Sequence, residues 1–544
     1  MKLRPVALIL IVLLCCTFLS ASAYNAQPKL VVVIIIDQFR GDYLDRVHDQ
    51  LVPDGFRLFT DRGAYFVNCN YGYANTRTAP GHATLFTGAY SDGHGILANE
   101  WWDPAKKKMV SSVEDGTTHL VGVSNAETGA SPHNLRGDTI GDELKLATQG
   151  KARVFTISLK DRSAVLPGGF SANGAYWIDH ATGAWITSTY YMNSLPAWVQ
   201  QFNASGPADK YWNREWKSNS GELLGNTNKT TGKADFYGIV GGTPFANDYQ
   251  LDFARALITN EKLGQGPATD LLVISLSAND ILGHRVGPDS PQIQAMTLAI
   301  DHQLASFFGF LGKQIGLGNV WLALSADHGV SPLPSVASSF RLPAANLDEK
   351  QLSARLNEIL SARFGPGKYV PDGGLSWPVL FLDENAFSAA KVNEAEAEQA
   401  SGEALKQIGM RSYFTRSQLA DFHVPPDELG RRYLHSYSPV PSWYVLGIAA
   451  PYFVGTRSGT DHASPYNYDT HVPLAFFGLP FQPGVYRTHS EPVDLVVTLA
   501  SLLGINAPNS AVGRVLTESL RTPPDPTARH GIMVPAETNK EPKQ

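Results

Sequence analysis

The sequence predicts an α/β fold with a mostly parallel central sheet flanked by helices, and three observations lead to this prediction. Short apolar, β-branched segments recur at 30–36, 154–159, 271–277 and 320–325, which is typical of strands buried on both faces of a parallel sheet. Enough chain separates these segments for helical crossovers. Amphipathic segments such as 291–313 follow several of them, with apolar residues at intervals of three and four. Helices are therefore expected on both faces of the sheet.

The N-terminus has the three parts of a secretory signal peptide. Lys2 and Arg4 precede an apolar run at 6–19, and small residues at 21–23 form a cleavage signal. The run is shorter than the ~20 residues that span a bilayer, which favours a cleaved signal over a retained anchor. We therefore expect an exported protein, periplasmic or extracellular, with residues 1–23 removed and no stable membrane anchor.

The remaining chain is predicted to form one domain over 24–521 that carries two inserted cap segments. The segment 163–265 is rich in Gly, Asn, Trp and Tyr, and the segment 331–460 mixes Pro-rich loops with a helical stretch near 385–408. The polar, Pro-rich end at 522–544 predicts a loose C-terminal tail.

Composition excludes several classes of function. The 544 residues include 44 Lys and Arg against 50 Asp and Glu, without a dense basic run, so we expect no nucleic-acid binding. Cys15 and Cys16 lie in the apolar N-terminal run, which leaves Cys69 alone. A zinc ribbon, a CxxC redox site and an internal disulfide are thereby excluded, and Cys69 is expected in the core.

Polar residues follow each of the four predicted strands. The crevice beyond the carboxyl ends of the strands is where open α/β sheets bind ligands, so these side chains are expected to share one site. A single Asp after a strand is more often a helix cap, but four strand ends together indicate a functional site. The residues are Asp37, Lys160, Arg162, Asp280, His284, Asp327 and His328.

Asp and His side chains without cysteine suit Zn²⁺ or Mn²⁺. Asp280 and His284 are four residues apart and share one face if their segment is helical. The adjacent Asp327 and His328 point apart on an extended segment and could serve two different ions. The pattern therefore indicates a pair of metal ions.

A further histidine ligand must come from elsewhere, and the segment 459–478 offers two. His462 lies in a turn containing Gly and Ser, which favours it. His471 remains open as an orienting residue or as the start of a strand.

Thr78 precedes Ala79, Pro80 and Gly81 ahead of a predicted helix. Proline is favourable in a first helical turn, so Thr78 is expected at a helix N-terminus, which attracts anions. Its hydroxyl could cap the helix or act as a nucleophile activated by a metal ion, and the two roles are compatible.

These motifs together resemble the alkaline phosphatase superfamily, in its type I phosphodiesterase and nucleotide pyrophosphatase-related branch. They are Asp37, T-A-P-G-H-A-T at 78–84, D-x-x-x-H at 280–284, Asp327-His328 and His462. Within that branch, further segments are similar to the PafA-type phosphate-irrepressible alkaline phosphatases. These are S-L-K-D-R at 158–162, the stretch 175–191 and Y-N-Y-D-T-H-V-P at 466–473.

The resemblance implies an alkaline-phosphatase-like fold, two zinc ions and small-molecule phosphate esters as substrates. It assigns one zinc to Asp280, His284 and His462, and the other to Asp37, Asp327 and His328. It implies that Thr78 contacts the second ion and forms a phosphothreonine intermediate. It matches Asn99, Lys160 and Arg162 to phosphate-binding groups, and leaves His82 and His94 as structural residues.

The choice of reaction depends on Lys160 and Arg162. On an extended segment, side chains two apart share a face, so both cations could reach one phosphoryl group. A monoester phosphate carries more negative charge than a diester, which favours an alkaline phosphatase over the alternative, a phosphodiesterase or nucleotide pyrophosphatase. A sulfatase is disfavoured because residues 78–82 lack its C/S-x-P-x-R segment. A non-catalytic metal- or phosphate-binding protein is the remaining alternative, and the oligomeric state is open.

Overall fold

A large mixed sheet organises the part of the chain that the structure describes. The computed structural model describes residues 27–124, 127–218, 220–228 and 236–521. The predicted signal peptide and C-terminal tail lie outside these residues. The sheet has eleven strands in the order β11-β2-β10-β9-β1-β8-β5-β6-β7-β3-β4. Numbered along the chain, the strands are β1 (Leu30–Ile36), β2 (Ala64–Asn70), β3 (Glu114–Val121), β4 (Thr128–Ala130), β5 (Val154–Ser158), β6 (Gly174–Ile178), β7 (Trp185–Ser188), β8 (Asp270–Leu276), β9 (Val320–Ser325), β10 (His471–Phe477) and β11 (Gly484–Tyr486).

Five neighbouring strands, β9, β1, β8, β5 and β6, are parallel and form the centre of the sheet. Leu30 in β1 lies opposite Asp270 in β8 and Val320 in β9, and all of β1 is buried. The four apolar segments predicted as central strands are therefore confirmed, each within one residue at either end. The antiparallel strands β10 and β2 extend the sheet beyond β9. Cys69 is buried in β2, as expected of a core residue.

The predicted helix 291–313 is confirmed as Pro291–Gln314, and Ser290 caps its first turn by accepting a hydrogen bond from the Ile293 amide. Among the described residues, no helix is both long and apolar enough to cross a membrane. The other α-helices that begin outside the two inserted segments are Tyr43–Val47, Arg57–Thr60, Thr78–Thr87, Ser91–His94, Ile140–Ala147, Asp161–Gly168, Ala278–Val286, Asn467–Thr470 and Asp494–Leu503.

The first inserted segment, 163–265, is continuous with the central sheet because it supplies β6 and β7. It continues with two α-helices, a short hairpin and a π-helix. These are Ala197–Ala204, Pro244–Asn260, the hairpin Glu215–Lys217 with Leu223–Asn226, and Tyr237–Gly241.

The second inserted segment, 331–460, forms a smaller sheet covered by helices. Its antiparallel strands, in sheet order, are Leu375–Ser376, Val379–Phe381, Tyr444–Ile448 and Ser412–Thr415. Its helices are Pro334–Ser339, Glu349–Phe364, Glu384–Ala389, Glu394–Gln407, Arg416–Ala420 and Glu428–His435.

The single helical stretch predicted near 385–408 is two helices. Lys391 has a φ of 61° and breaks the helix, and Asn393 caps the next one.

Candidate active site

The predicted ligands meet where β1, β8 and β9 end. Asp37 directly follows β1, and β8 leads into the helix Ala278–Val286, here the Asp280 helix, which carries Asp280 and His284. The chain bends after β9 at Asp327. Parallel strands place their carboxyl ends at one edge of a sheet, so residues far apart in sequence converge there.

The first candidate metal group consists of Asp280, His284 and His462, whose ligand atoms lie within 4.8 Å of one another. His284 Nε2 is 3.1 Å from Asp280 Oδ1 because the two residues are one helical turn apart. His462 Nε2 lies 4.0 Å from the same oxygen. His462 reaches this group from the turn containing Gly459, where a side chain would overlap the His284 carbonyl.

The second candidate metal group consists of the fully buried Asp37, Asp327 and His328, again within 4.8 Å. His328 Nε2 lies 3.5 Å from Asp37 Oδ1 and 3.6 Å from Asp327 Oδ2. The spacing argument that Asp327 and His328 serve different ions is wrong for this geometry. The backbone bends at Asp327 instead of continuing extended, so both side chains turn to the same side.

All three histidines present Nε2 to the candidate groups. His284 Nδ1 lies 2.9 Å from the Thr460 carbonyl, His328 Nδ1 2.9 Å from that of Gly329, and His462 Nδ1 2.7 Å from that of Thr76. A carbonyl only accepts, so each Nδ1 must carry the proton and donate. In the neutral imidazole, Nε2 is therefore the nitrogen with the lone pair, as a metal ligand requires.

Burial and mutual repulsion set the charges of the carboxylates. Burial, with the charges of Asp280 and Asp327, raises the pKa of Asp37 well above its ordinary value. Burial opposes ionisation of Asp280 too, but Lys160 and His284 hold its pKa well below the ordinary value. Asp280 raises the pKa of His284 to about 10 against the effect of burial, so metal binding at His284 must release the Nε2 proton. Three carboxylates in one buried site therefore require nearby cations.

Lys160 supplies one such cation and connects the two groups. Its Nζ donates to Asp37 Oδ2 at 2.6 Å and to Asp280 Oδ2 at 2.7 Å. The extended conformation predicted for 158–162 is wrong beyond Lys160, because the helix Asp161–Gly168 begins at the next residue. Arg162 therefore projects from a first helical turn. Its buried Nε has no hydrogen-bond partner among the residues described.

Further buried atoms show that the groups fit metal ions. Within the described ranges, Asp37 Oδ1 and His328 Nε2 lack hydrogen-bond partners, and both are acceptors in the arrangement above. Buried acceptors without donors are costly unless a cation satisfies them. Oxygen and nitrogen donors without sulfur suit a divalent ion such as zinc.

Thr78 is the first residue of the helix Thr78–Thr87, here the Thr78 helix, as expected from the Pro80 position. Arg77 occupies the N-cap, so Thr78 is not the cap. A side chain at Gly81 would overlap the backbone of Asp327, which shows how closely this helix packs on the second group. The first turn of the Thr78 helix, which carries Thr78, therefore lies against Asp327 of the second group.

Asn99 packs against the same helix start. Its side-chain Oδ1 accepts a hydrogen bond of 2.8 Å from the Ala79 amide. Because this contact uses the oxygen, the amide nitrogen of Asn99 remains as a donor beside Thr78.

Gln38 is a site residue that the sequence prediction missed. Its backbone amide donates to Asp327 Oδ1 at 3.1 Å and its Nε2 donates to Asp280 Oδ1 at 2.8 Å. It is fully buried with a φ of 61°, a strained conformation for a residue other than glycine. Asn279 Nδ2 holds this conformation by donating to the carbonyls of Asp37 and Gln38, each at 3.0 Å. The sequence signal that could have identified Gln38 is its place as a polar residue directly after Asp37, at the end of β1.

The other histidines of the motifs occupy supporting positions. His82 Nδ1 lies 2.8 Å from the Thr78 carbonyl and 3.2 Å from Asp327 Oδ2, so it also orients a predicted ligand. His94 contacts Thr84 within the Thr78 helix. His471 begins β10, and its Nε2 lies 2.9 Å from the Val67 carbonyl.

Comparisons with known proteins agree with this fold and site. The family profile of type I phosphodiesterase / nucleotide pyrophosphatase matches residues 31–398. That range is more than half of the chain and includes Thr78 and five of the six predicted Asp and His ligands. The chain belongs to this family, within the alkaline phosphatase superfamily, as its motifs indicated.

Relatives that align with nearly the full length of this chain define the class of enzyme more narrowly. Alkaline phosphatase PhoV of Synechococcus elongatus is 34% identical over 91% of this chain and 94% of its own length. Alkaline phosphatase PafA of Elizabethkingia meningoseptica is 32% identical over 95% and 99%. The crystal structure of wild-type PafA matches with a TM-score of 0.81 at 30% identity, over 91% of this chain and 99% of that one. The predicted resemblance and fold class are confirmed, and the chain is a phosphatase enzyme.

Proposed function

We propose that this phosphatase hydrolyses small phosphate monoesters through a phosphothreonine intermediate on Thr78. The observation that carries the proposal is the position of Thr78, at a helix start packed on one of two adjacent metal groups. Zinc is proposed in both groups, held by Asp37, Asp327 and His328 and by Asp280, His284 and His462. Bound zinc would supply Lewis-acid chemistry by lowering hydroxyl and water pKa values and by neutralising developing charge.

The chain's own residues position the reacting atoms. Thr78 Oγ1 forms a bond to phosphorus while the ester oxygen leaves with the alcohol. Water then attacks the phosphothreonine, releases phosphate and restores the hydroxyl. The N-terminus of the Thr78 helix favours the anionic phosphoryl group, and the Asn99 amide nitrogen is available to donate to it.

Arg162 and Lys160 are proposed to bind the non-bridging oxygens. Arg162 is well suited because its buried Nε has no partner among the described residues and its planar guanidinium can donate two parallel hydrogen bonds. Lys160 contacts Asp37 and Asp280, so its removal should also disturb the metal groups. Arg162 is therefore the cleaner probe of the reaction.

A phosphodiesterase is the second candidate function, because the family profile carries that name. The monoester assignment draws support from the buried Arg162 Nε, which has no hydrogen-bond partner among the described residues, and from relatives of nearly full length that are named alkaline phosphatases. A diester has one fewer charged oxygen and gains less from Arg162.

We also propose, on the sequence alone, that residues 1–23 are a signal peptide and that the mature protein is exported. The proposal places the catalytic domain at 24–521 and a loose tail at 522–544.

The deciding experiment measures metal content and kcat/KM for an aryl phosphate and an aryl phosphodiester on one sample. Arg162→Ala should cost monoester hydrolysis about 2 to 4 kcal/mol of transition-state stabilisation and diester hydrolysis much less. Arg355→Ala, which removes an exposed cation paired with Glu358, is the matched control. If the wild type prefers the diester, or if Arg162→Ala lowers the hydrolysis of both substrates equally, the phosphodiesterase assignment replaces the monoesterase assignment.

Thr78 is tested on the same substrates. Thr78→Ala should retain metal and lose most turnover, and Thr78→Ser should keep part of it because a hydroxyl remains. Full activity in Thr78→Ala, or a phosphoryl group trapped on another residue, would refute the intermediate.

A further inference from the structure

The first inserted segment places one aromatic residue, Tyr237, beside the candidate active site. Tyr237 begins the π-helix Tyr237–Gly241, and the preceding Phe236 amide donates to the His180 carbonyl at 2.7 Å. Phe236 is fully buried. The Tyr237 ring stacks on His180 with centroids 4.0 Å apart and an interplanar angle of 28°. These contacts fix the ring at the start of the π-helix, a form that often occurs at functional sites.

The same π-helix packs on the helix that carries Asp280 and His284. A side chain added at Gly241 would meet both Ile281 of the Asp280 helix and Tyr237. Tyr237 therefore lies near Ile281 of the Asp280 helix while its ring stacks on His180.

The hydroxyl of Tyr237 lies within electrostatic reach of the candidate active site. The groups that act on it electrostatically are Arg162, Asp161, Asp37 and Asp280. The hydroxyl is buried, and no residue described by the structure hydrogen-bonds to it, as is also true of Arg162 Nε. Most buried side-chain polar atoms have a hydrogen-bond partner, so a bound ligand is a candidate partner for this hydroxyl.

Burial raises the pKa of Tyr237 well above its ordinary value, with Arg162 opposing and the three carboxylates adding to the effect. The hydroxyl therefore keeps its proton at alkaline pH and can donate. A neutral donor suits this site, because the substrate and the metal-group carboxylates are all anionic.

We propose that the Tyr237 hydroxyl is a substrate-binding group that donates a hydrogen bond to a non-bridging oxygen of a phosphate monoester, beside the guanidinium of Arg162. This inference rests on the proposed monoesterase function. It gives the first inserted segment a role in binding the phosphoryl group.

The test compares wild type with Tyr237→Phe, which keeps the ring and its stacking on His180. Two aryl phosphates with leaving groups of different basicity, and inorganic phosphate as competitive inhibitor, serve as probes. We expect kcat/KM to fall roughly 10- to 100-fold on both esters alike, and phosphate to inhibit more weakly, because a preorganised donor is lost. Tyr249→Phe is the matched control. It removes a buried hydroxyl of the same segment that donates to the Gly183 carbonyl at 2.7 Å, and phosphate inhibition should not change.

Each outcome is decisive. Unchanged kcat/KM and phosphate inhibition in Tyr237→Phe, with an active wild type, would overturn the inference and leave the monoesterase proposal intact. A loss that grows with leaving-group basicity would place the donor on the leaving oxygen and also overturn it. A wild type without monoesterase activity would instead refute the proposed function. Metal content and the unfolding midpoint, measured on each variant, separate lost binding from lost structure.

Discussion

Gln38 connects the two candidate metal groups, since one residue donates to a carboxylate of each. Gln38→Ala removes the hydrogen bond to Asp280 and keeps the backbone bond to Asp327. Residues that orient metal ligands contribute about 10- to 100-fold to metal affinity, so the variant should lose metal to a chelator correspondingly sooner. Gln303→Ala breaks a comparable amide contact to the Pro244 carbonyl away from the site. Equal metal retention in both variants would show that Gln38 does not position Asp280.

Replacing the two histidines of segment 459–478 should have different effects, one on activity and the other on stability. His462→Ala removes a member of the first group and should abolish metal-dependent turnover. His471 packs against Gly41 and the Val67 carbonyl, so His471→Ala should lower the unfolding midpoint and retain activity per bound metal. Metal analysis and thermal unfolding of the two purified variants distinguish these results. The reverse pattern would show that His471 is the ligand.

Most of the ligands could be predicted from the sequence because they follow recognisable strands, whereas His462 was chosen from a turn before β10. The contacts of Gln38 could not be predicted, since its partners Asp280 and Asp327 lie 242 and 289 positions away. Tyr237 lies in an inserted segment whose packing against the Asp280 helix has no local sequence signal. Lys160 illustrates a different limit. Its position was predicted, but the charge of two buried carboxylates determines where its ammonium lies.

At the scale of elements, the second inserted segment contains a buried acid that should make stability depend on pH. Burial raises the pKa of Glu398 from 4.5 to about 7, although Oε2 accepts a hydrogen bond from the Ser417 amide. The folded protein therefore binds a proton that the unfolded chain releases between these values, and this contribution to stability falls as pH rises from about 4.5 to 7. Glu398→Gln should reduce the dependence of the unfolding midpoint on pH across that interval. An unchanged slope would mean that Glu398 does not titrate there.

Central strands were predictable as elements because burial on both faces demands a continuous apolar run. The outer strands were not, since burial along β3 follows no regular alternation and β11 has only three residues. The strands of the second inserted segment are two to five residues long and gain their stability from packing on helices. Such packing leaves little trace in local sequence.

Removal of the metal ions should strongly lower the stability of the whole molecule. Ions that bind only the folded state add to its stability, by about 4 kcal/mol when their concentration is 1,000 times Kd. Chelation should therefore lower the unfolding midpoint and abolish turnover together, and added zinc should restore both. The His462→Ala variant should show a smaller shift on chelation. A midpoint insensitive to chelation in wild type would contradict two stably bound ions.

The hydrogen bond between His462 Nδ1 and the Thr76 carbonyl spans 386 positions of the chain. Every member of the second group precedes His462 in the chain. During synthesis the second group is therefore complete while the first group still lacks its last histidine. Closing a loop of that length is entropically unfavourable until the intervening sheet has formed, so these contacts should come late in folding. A chain that ends before residue 462, or that folds out of register, therefore lacks a complete first group.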